Sequence, residues 1–96
     1  MRQISSATAA VLDQLLGASA IGRYGYDIMR ETELKSGTVY PILRRFEAMG
    51  WVESRSEPAQ DPGRPPRRRY HLTGLGRSEA SRALDARDRQ GGLRWT

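Results

Sequence analysis

The pattern in SGTVYPILRRFEAMGW, residues 36–51, is the clearest structural signal in this sequence. Its apolar residues recur every three or four positions, which is the spacing of an amphipathic helix. We predict a helix from Gly37 to about Met49, with Ser36 as its N-cap and Gly50 as the residue that closes it. Its unusual feature is Pro41, because proline lacks the backbone N–H that a helix interior needs.

The two faces of this helix differ in chemistry. At 100° per residue, the apolar face is made by Val39, Ile42, Leu43, Phe46 and Met49. The opposite face carries Gly37, Tyr40, Pro41, Arg44 and Ala48, with Arg45 on its flank. A helix that only faces water more often has Glu and Lys there. The face is therefore either ordinary surface or a low surface against which a large ligand can press.

Two more helices precede this one. Helical spacing predicts a first helix over residues 5–16, a loop over 17–23 and a short helix over 24–32. Residues 33–35 are long enough only for a turn, so the second and third helices form a helix-turn-helix. The turn contains Glu33 where glycine is common, and a positive φ is costly for any residue but glycine.

A hairpin is predicted after the third helix. Residues 51–57 and 67–73 have the length of strands, and Tyr70 and Leu72 fall on one side of the second strand. The four prolines and the glycine between them, in residues 58–66, make a loop.

The chain is predicted to end in one more helix. Thr73 is expected to cap a helix over residues 73–90, and residues 91–96 are expected to form a frayed tail. The order helix, helix, helix, hairpin, helix predicts a mainly α fold with a small β-hairpin. We interpret residues 1–90 as a single winged helix-turn-helix domain.

Charge is concentrated in the second half of the chain. Residues 1–54 hold six basic and six acidic side chains, whereas residues 55–96 hold ten and five, which accounts for the net charge of +5. Fifteen of the 16 cations are arginine, whose planar fork suits phosphate and guanine edges, although codon bias explains the ratio equally well. The chain has no cysteine, membrane-length apolar run or signal-peptide core, so we expect a cytoplasmic protein without membrane contact.

The loop and second strand of the hairpin contain an arginine cluster, GRPPRRR, residues 63–69. A wing beside a recognition helix can touch flanking backbone or the minor groove, where arginine is favoured. The bland alternative is a solvated loop. The sequence also allows a winged-helix protein-interaction module that docks an acidic partner through these arginines.

Enzymatic chemistry finds no support in the sequence. His71 is the single histidine and has no metal ligand or nucleophile near it, and the glycines of residues 17–25 lack the GK[ST] of a phosphate loop. We expect no catalytic residue, no metal site and no cofactor.

Three stretches resemble the PadR-like transcriptional regulators: GYDI (residues 25–28), SGTVYPILRRFEAMGWVES (36–54) and GRPPRRRYHLT (63–73). The resemblance implies a bacterial-type winged-helix repressor that binds a dyad operator as a homodimer and that responds in some members to a small-molecule effector. It implies DNA contacts at the start of the recognition helix and a phosphate contact at Tyr26. Family members usually dimerise through helix one and a long apolar C-terminal helix, which is short and rich in alanine and arginine here.

The sequence therefore predicts a regulator that binds double-stranded DNA through the third helix and the wing. The predicted DNA-binding residues are Tyr26, Ser36, Gly37, Thr38, Tyr40, Pro41, Arg44, Arg45, Arg64, Arg67, Arg68 and Arg69.

Overall fold

The computed structural model describes residues 4–18, 21–59, 61–63 and 65–93. Its elements, in chain order, are α1 (Ser6–Leu16), β1 (Arg23–Tyr24), α2 (Gly25–Thr32), α3 (Ser36–Ala48), β2 (Val52–Glu57), β3 (Arg67–Leu72) and α4 (Gly74–Leu93). The predicted winged helix-turn-helix is confirmed.

The helices pack around one apolar core. α1 begins where the Ser5 hydroxyl accepts a hydrogen bond from the Thr8 backbone N–H at 3.1 Å, and it ends at Gly17 as predicted. The core joins all four helices to the sheet. Its buried residues are Val11, Leu12, Leu15, Ile28, Val39, Ile42, Leu43, Phe46, Val52, Tyr70, Leu72, Ala80 and Ala83.

The turn between α2 and α3 does use a positive φ. Glu33 lies in the left-handed region at φ 59° and ψ 24°, which costs a side chain about 1–2 kcal/mol. Thr32 stabilises the same turn, since its hydroxyl donates to the Ile28 carbonyl at 2.6 Å and accepts from the Leu34 N–H at 3.3 Å. The turn then places Leu34 against the core.

The start of α3 differs from the prediction. The N-cap is Lys35 and not Ser36, because the Lys35 carbonyl already accepts from Thr38 N at 2.9 Å and from Val39 N at 3.0 Å. Lys35 has the extended backbone of a cap but makes no side-chain cap bond. Ser36 is thus the first helical residue, and its hydroxyl group lies on the exposed end of α3.

The end of α3 agrees with the prediction at Gly50 and differs at Met49. Gly50 takes a φ of 78°, as a closing glycine should. Met49 is the C-cap and is 44% exposed, although its angle on the helical wheel placed it with the core residues. The wheel no longer applies where the helix has ended.

The hairpin is confirmed, and a third strand joins it. β2 and β3 pair antiparallel from Val52 opposite Leu72 to Glu57 opposite Arg67. β1 pairs with the other edge of β3, so that the order is β1-β3-β2. Arg23 was predicted as loop and Tyr24 as the start of the second helix, which begins at Gly25 instead. A strand of two residues is too short for any alternation to reveal it.

α4 is anchored at its start and runs past the predicted end. The Thr73 hydroxyl accepts from the Gly76 N–H at 2.9 Å, which confirms Thr73 as the cap. The helix continues to Leu93, three residues beyond position 90, because glycine lowers helix propensity by only about 1 kcal/mol per residue. Residues 94–96 of the expected tail lie outside the described residues. No helix within the described ranges has the length and hydropathy needed to cross a bilayer.

Candidate nucleic-acid interface

The outer face of α3 is a narrow exposed stripe. Gly37, Pro41, Arg44 and Ala48 follow one another at intervals of four, three and four residues, and all four are exposed. This spacing places them on one line along the helix. The predicted DNA-binding residues Ser36, Thr38 and Arg45 are exposed as well.

Gly37 is not required by packing within the protomer. A Cβ atom placed on it would meet nothing within 4 Å beyond its own helix backbone and chain neighbours. Its φ is not in the positive region, so any side chain fits the local backbone. Pro41 has no N–H, so it leaves the Gly37 carbonyl without its usual donor four residues later. At the start of α3, therefore, Gly37 adds no side-chain bulk and its carbonyl lacks the usual helical donor.

Tyr40 differs from the rest of the predicted outward face because it is half-buried and packs against the core. Its ring lies over Gly25, the first residue of α2, where an added Cβ would be 2.9 Å from the ring Cε1 atom and the hydroxyl oxygen. Tyr26, the next residue of α2, is 63% exposed, with the Arg30 guanidinium carbon 6.0 Å from its ring centroid. The tyrosines therefore mark the N-terminal end of α2.

A groove of about 590 Å³ separates this end of α2 from the wing. Its cations are Arg67 and Arg68, and its carboxylates are Asp27 and Asp61. The remaining lining comes from Tyr24, Gly25, Tyr26, Tyr40, Ala59, Pro65 and Pro66. The groove thus brings Tyr26 of α2 and Tyr40 of α3 together with two arginines of the wing.

Arg68 is tied to α3 through a chain of hydrogen bonds. Its Nη1 donates to the Ser54 hydroxyl at 2.8 Å, and that hydroxyl donates to the Glu47 Oε2 atom at 2.8 Å. Arg68 is two residues before Tyr70 on β3, so both side chains lie on the sheet face that covers the core. These two hydrogen bonds fix Arg68 of the wing relative to α3.

Arg69 is engaged on the other face of the sheet. Its Nε donates to Glu57 Oε2 at 2.9 Å, and the two side chains are only 23% and 29% exposed. The Tyr24 hydroxyl donates to Glu57 Oε1 at 2.6 Å and accepts from Arg69 Nη2. The hydrogen bond from Arg69, followed by that from Tyr24, lowers the pKa of the Glu57 carboxyl to about 2. The bond to Glu57 raises the pKa of Tyr24.

Arg67 stacks on the same tyrosine. The Cζ atoms of Arg67 and Arg69 lie 4.2 Å and 4.3 Å from the Tyr24 ring centroid, within cation–π range. The predicted contact Arg64 lies outside the described residues. Of the wing arginines that the structure describes, Arg67 and Arg68 line the groove, whereas Arg69 is held by an acid.

Sequence reasoning missed Tyr24, Ser54 and Glu57. Glu57 carried a usable signal, since it is the acid at the end of β2 that faces a run of three arginines across the hairpin. Tyr24 and Ser54 carried none, because β1 is too short to recognise and a serine in a strand is unremarkable in isolation.

The family model described as the transcriptional regulator PadR-like family matches residues 15–82. The chain belongs to this family. The matched segment runs from the end of α1 into α4 and so contains the helix-turn-helix, the wing and the groove between them. A search of curated proteins found no match.

Solved structures with this fold include a PadR family regulator and a regulator solved with its ligand. The protein smu.1704 of Streptococcus mutans UA159 has a TM-score of 0.70 and 28% identity, over 95% of this chain and 87% of that one. A PadR family regulator of Clostridium difficile R20291 has a TM-score of 0.67 and 23% identity, over 93% and 90%. The PcaV regulator of Streptomyces coelicolor, solved with its natural ligand, has a TM-score of 0.72 and 20% identity, over 98% of this chain and 62% of that one. The PadR-like chain thus spans under two thirds of PcaV.

The PadR-like family consists of transcriptional regulators, in agreement with the prediction that the chain is not an enzyme. Within the residues that the structure describes, no three His, Cys, Asp or Glu side chains are grouped to hold a metal ion.

Proposed function

We propose that this PadR-like regulator binds double-stranded DNA with the outer stripe of α3 in the major groove and the wing on the adjacent backbone. The observation that carries the proposal is Gly37, which has open space where a side chain would fit. Packing within the protomer does not require a glycine at this position. The absence of a side chain instead allows the surface of a partner, here the DNA, to approach the helix backbone closely.

The stripe has the chemistry to read bases. The Arg44 guanidinium is exposed and suits the O6 and N7 acceptors of guanine, while Thr38, Pro41 and Ala48 offer small apolar groups to thymine methyls. We assign Ser36, Tyr40 and Arg45 to the phosphates that flank this region.

We assign the sugar–phosphate backbone between the two binding elements to Tyr26, Arg67 and Arg68, which line the groove together with the carboxylates Asp27 and Asp61. The two arginines carry this assignment, because a carboxylate repels phosphate. We extend this assignment to Arg64, which belongs in sequence to the loop between the two strands of the hairpin. Arg69 was predicted as a direct contact, but its engagement with Glu57 supports a different role, taken up below.

The finer proposal is a repressor that binds a dyad operator as a homodimer, with half-sites roughly 10 base pairs apart. The family resemblance motivates it, because members usually dimerise through helix one and the C-terminal helix; here α4 has 20 residues and lies beside α1, where the Arg87 Nη2 atom donates to the Ser6 hydroxyl at 2.7 Å. Sedimentation of the chain with and without a selected duplex measures the stoichiometry. A single protomer per selected site would contradict the dimer.

A small-molecule effector is the further part of this proposal. PcaV was solved with its natural ligand, which supports control of this kind in proteins with the same fold. A screen for compounds that release the chain from its selected duplex, read by anisotropy, tests it. A chain that no compound releases would contradict this part.

The deciding experiment enlarges Gly37 without disturbing the fold. Gly37→Ala and Gly37→Leu are expected to unfold at or above the wild-type temperature, because both residues favour helices over glycine. Binding to duplexes selected from a random pool, read by fluorescence anisotropy, should weaken with Ala and be lost with Leu. If Gly37→Leu binds like wild type, α3 is not the interface, and an acidic protein partner becomes the better candidate.

A further inference from the structure

The contacts at the base of the wing form a closed triangle. Glu57 accepts from Arg69 Nε at 2.9 Å and from the Tyr24 hydroxyl at 2.6 Å, and Arg69 also donates to that hydroxyl. Each of the three groups therefore has two partners within the triangle. A triangle of this kind restrains rotamers far more than a single surface ion pair does.

The triangle joins three separate parts of the fold. Glu57 is the last residue of β2, Arg69 is in β3, and Tyr24 is the last residue of β1 and the N-cap of α2. Its ring also bears the Arg67 guanidinium, 4.2 Å from the centroid. One tyrosine thus connects the wing to the first turn of the helix-turn-helix, where Tyr40 of α3 packs on Gly25.

The acid in the triangle is unfavourable for DNA binding by charge alone. Glu57 places a carboxylate against Arg69 and opposite Arg67, which lines the groove, and a carboxylate repels phosphate. Its presence is explained if it fixes the base of the wing in position, since groups held in place before binding lose less entropy on binding.

We propose that Tyr24, Glu57 and Arg69 are positioning residues, which hold the wing so that Arg67 and Arg68 face the groove. Arg69 acts through Glu57 and Tyr24, not through phosphate. The expected effect on DNA affinity rests on the proposed function. The expected effect on the rigidity of the wing does not depend on DNA.

The test compares two changes that remove one negative charge from the same strand. Glu57→Gln breaks the triangle. Glu53→Gln is the matched control, since Glu53 is four residues earlier on the same face of β2 and contacts only His71, at 3.2 Å, among the bonds described. Charge alone predicts that both variants bind duplex DNA more tightly. The positioning role predicts that Glu57→Gln binds a selected duplex about tenfold more weakly, while Glu53→Gln does not weaken.

Two further variants distinguish a lost positioning contact from a general folding defect in Glu57→Gln. Tyr24→Phe removes only the hydroxyl and should weaken binding in the same direction by a smaller factor. Exchange of the pair, Glu57→Arg with Arg69→Glu, should bind better than Glu53→Arg with Arg69→Glu, which has the same net charge but cannot rebuild the pair. If Arg69 touches phosphate directly, the two double variants bind equally poorly, and the assignment is overturned.

Hydrogen exchange of the wing amides without DNA separates this inference from the proposed function. Glu57→Gln and Tyr24→Phe should speed exchange in β2 and β3 near the loop, whereas Glu53→Gln should not. Equal exchange in Glu57→Gln and Glu53→Gln overturns the positioning role whether or not the protein binds DNA. Faster exchange with no selected duplex for the wild type keeps the positioning role and rejects the DNA-binding function.

Discussion

The ring of Tyr40 rests on the backbone of Gly25, so close that a Cβ atom there would lie 2.9 Å from the ring Cε1 atom and from the hydroxyl oxygen. Gly25 begins α2 and Tyr40 lies in the second turn of α3. This contact therefore sets how closely the two helices of the helix-turn-helix approach each other.

Gly25→Ala is expected to push the helices apart. The added methyl must displace the Tyr40 ring, and such overpacking typically costs about 1–3 kcal/mol. Thermal unfolding followed by circular dichroism measures the loss. The control is Gly74→Ala at the start of α4, where an added Cβ meets nothing within 4 Å. A Gly25→Ala protein as stable as this control would show that Tyr40 moves aside freely.

Gly76→Ala is expected to be strongly destabilising. An added Cβ would lie 1.9 Å from the Trp51 carbonyl oxygen, which is backbone and cannot rotate away. That same oxygen accepts from the Thr73 N–H at 2.9 Å, so a shift of α4 would also break its anchor. We expect loss of cooperative unfolding in the variant. Normal cooperative unfolding would contradict the tight packing of α4 against the Trp51 backbone.

The stability of the wing is expected to depend on pH through Glu57. Its carboxyl has a pKa of about 2 in the folded protein against 4.5 ordinarily, so the carboxylate is the form that folding favours. The stabilisation is complete above about 4.5 and is lost as the pH falls toward 2. The difference in urea midpoint between wild type and Glu57→Gln should therefore shrink over that range. Parallel curves would rule out an ionised Glu57 as the source.

Arg44→Ala is expected to weaken binding to a selected duplex by about 1–3 kcal/mol if the guanidinium reads a base. If it holds only phosphate, affinity should fall equally on random DNA, with a salt slope smaller by about one. Arg82→Ala on α4 is the charge-matched control, since this arginine is exposed and has Glu79 at 3.8 Å. If Arg44→Ala binds both duplexes as the control does, α3 is not the recognition helix.

Periodicity in the sequence was enough to predict the four helices, the hairpin and the exposed stripe on α3. These features follow from local rules, because a core residue must recur every turn of a helix and a proline-rich loop must leave the sheet. The family resemblance rested on the same residues, and the match over residues 15–82 confirms it.

Only the tertiary structure decided which polar groups are engaged and which are available. Arg67, Arg68 and Arg69 are indistinguishable along the chain, yet one stacks on Tyr24, one reaches α3 through Ser54 and one is held by Glu57. Their roles depend on the register of β2 with β3 and on a two-residue strand from the other end of the domain. Pairing between distant segments leaves no period in a sequence, so no local pattern could reveal it.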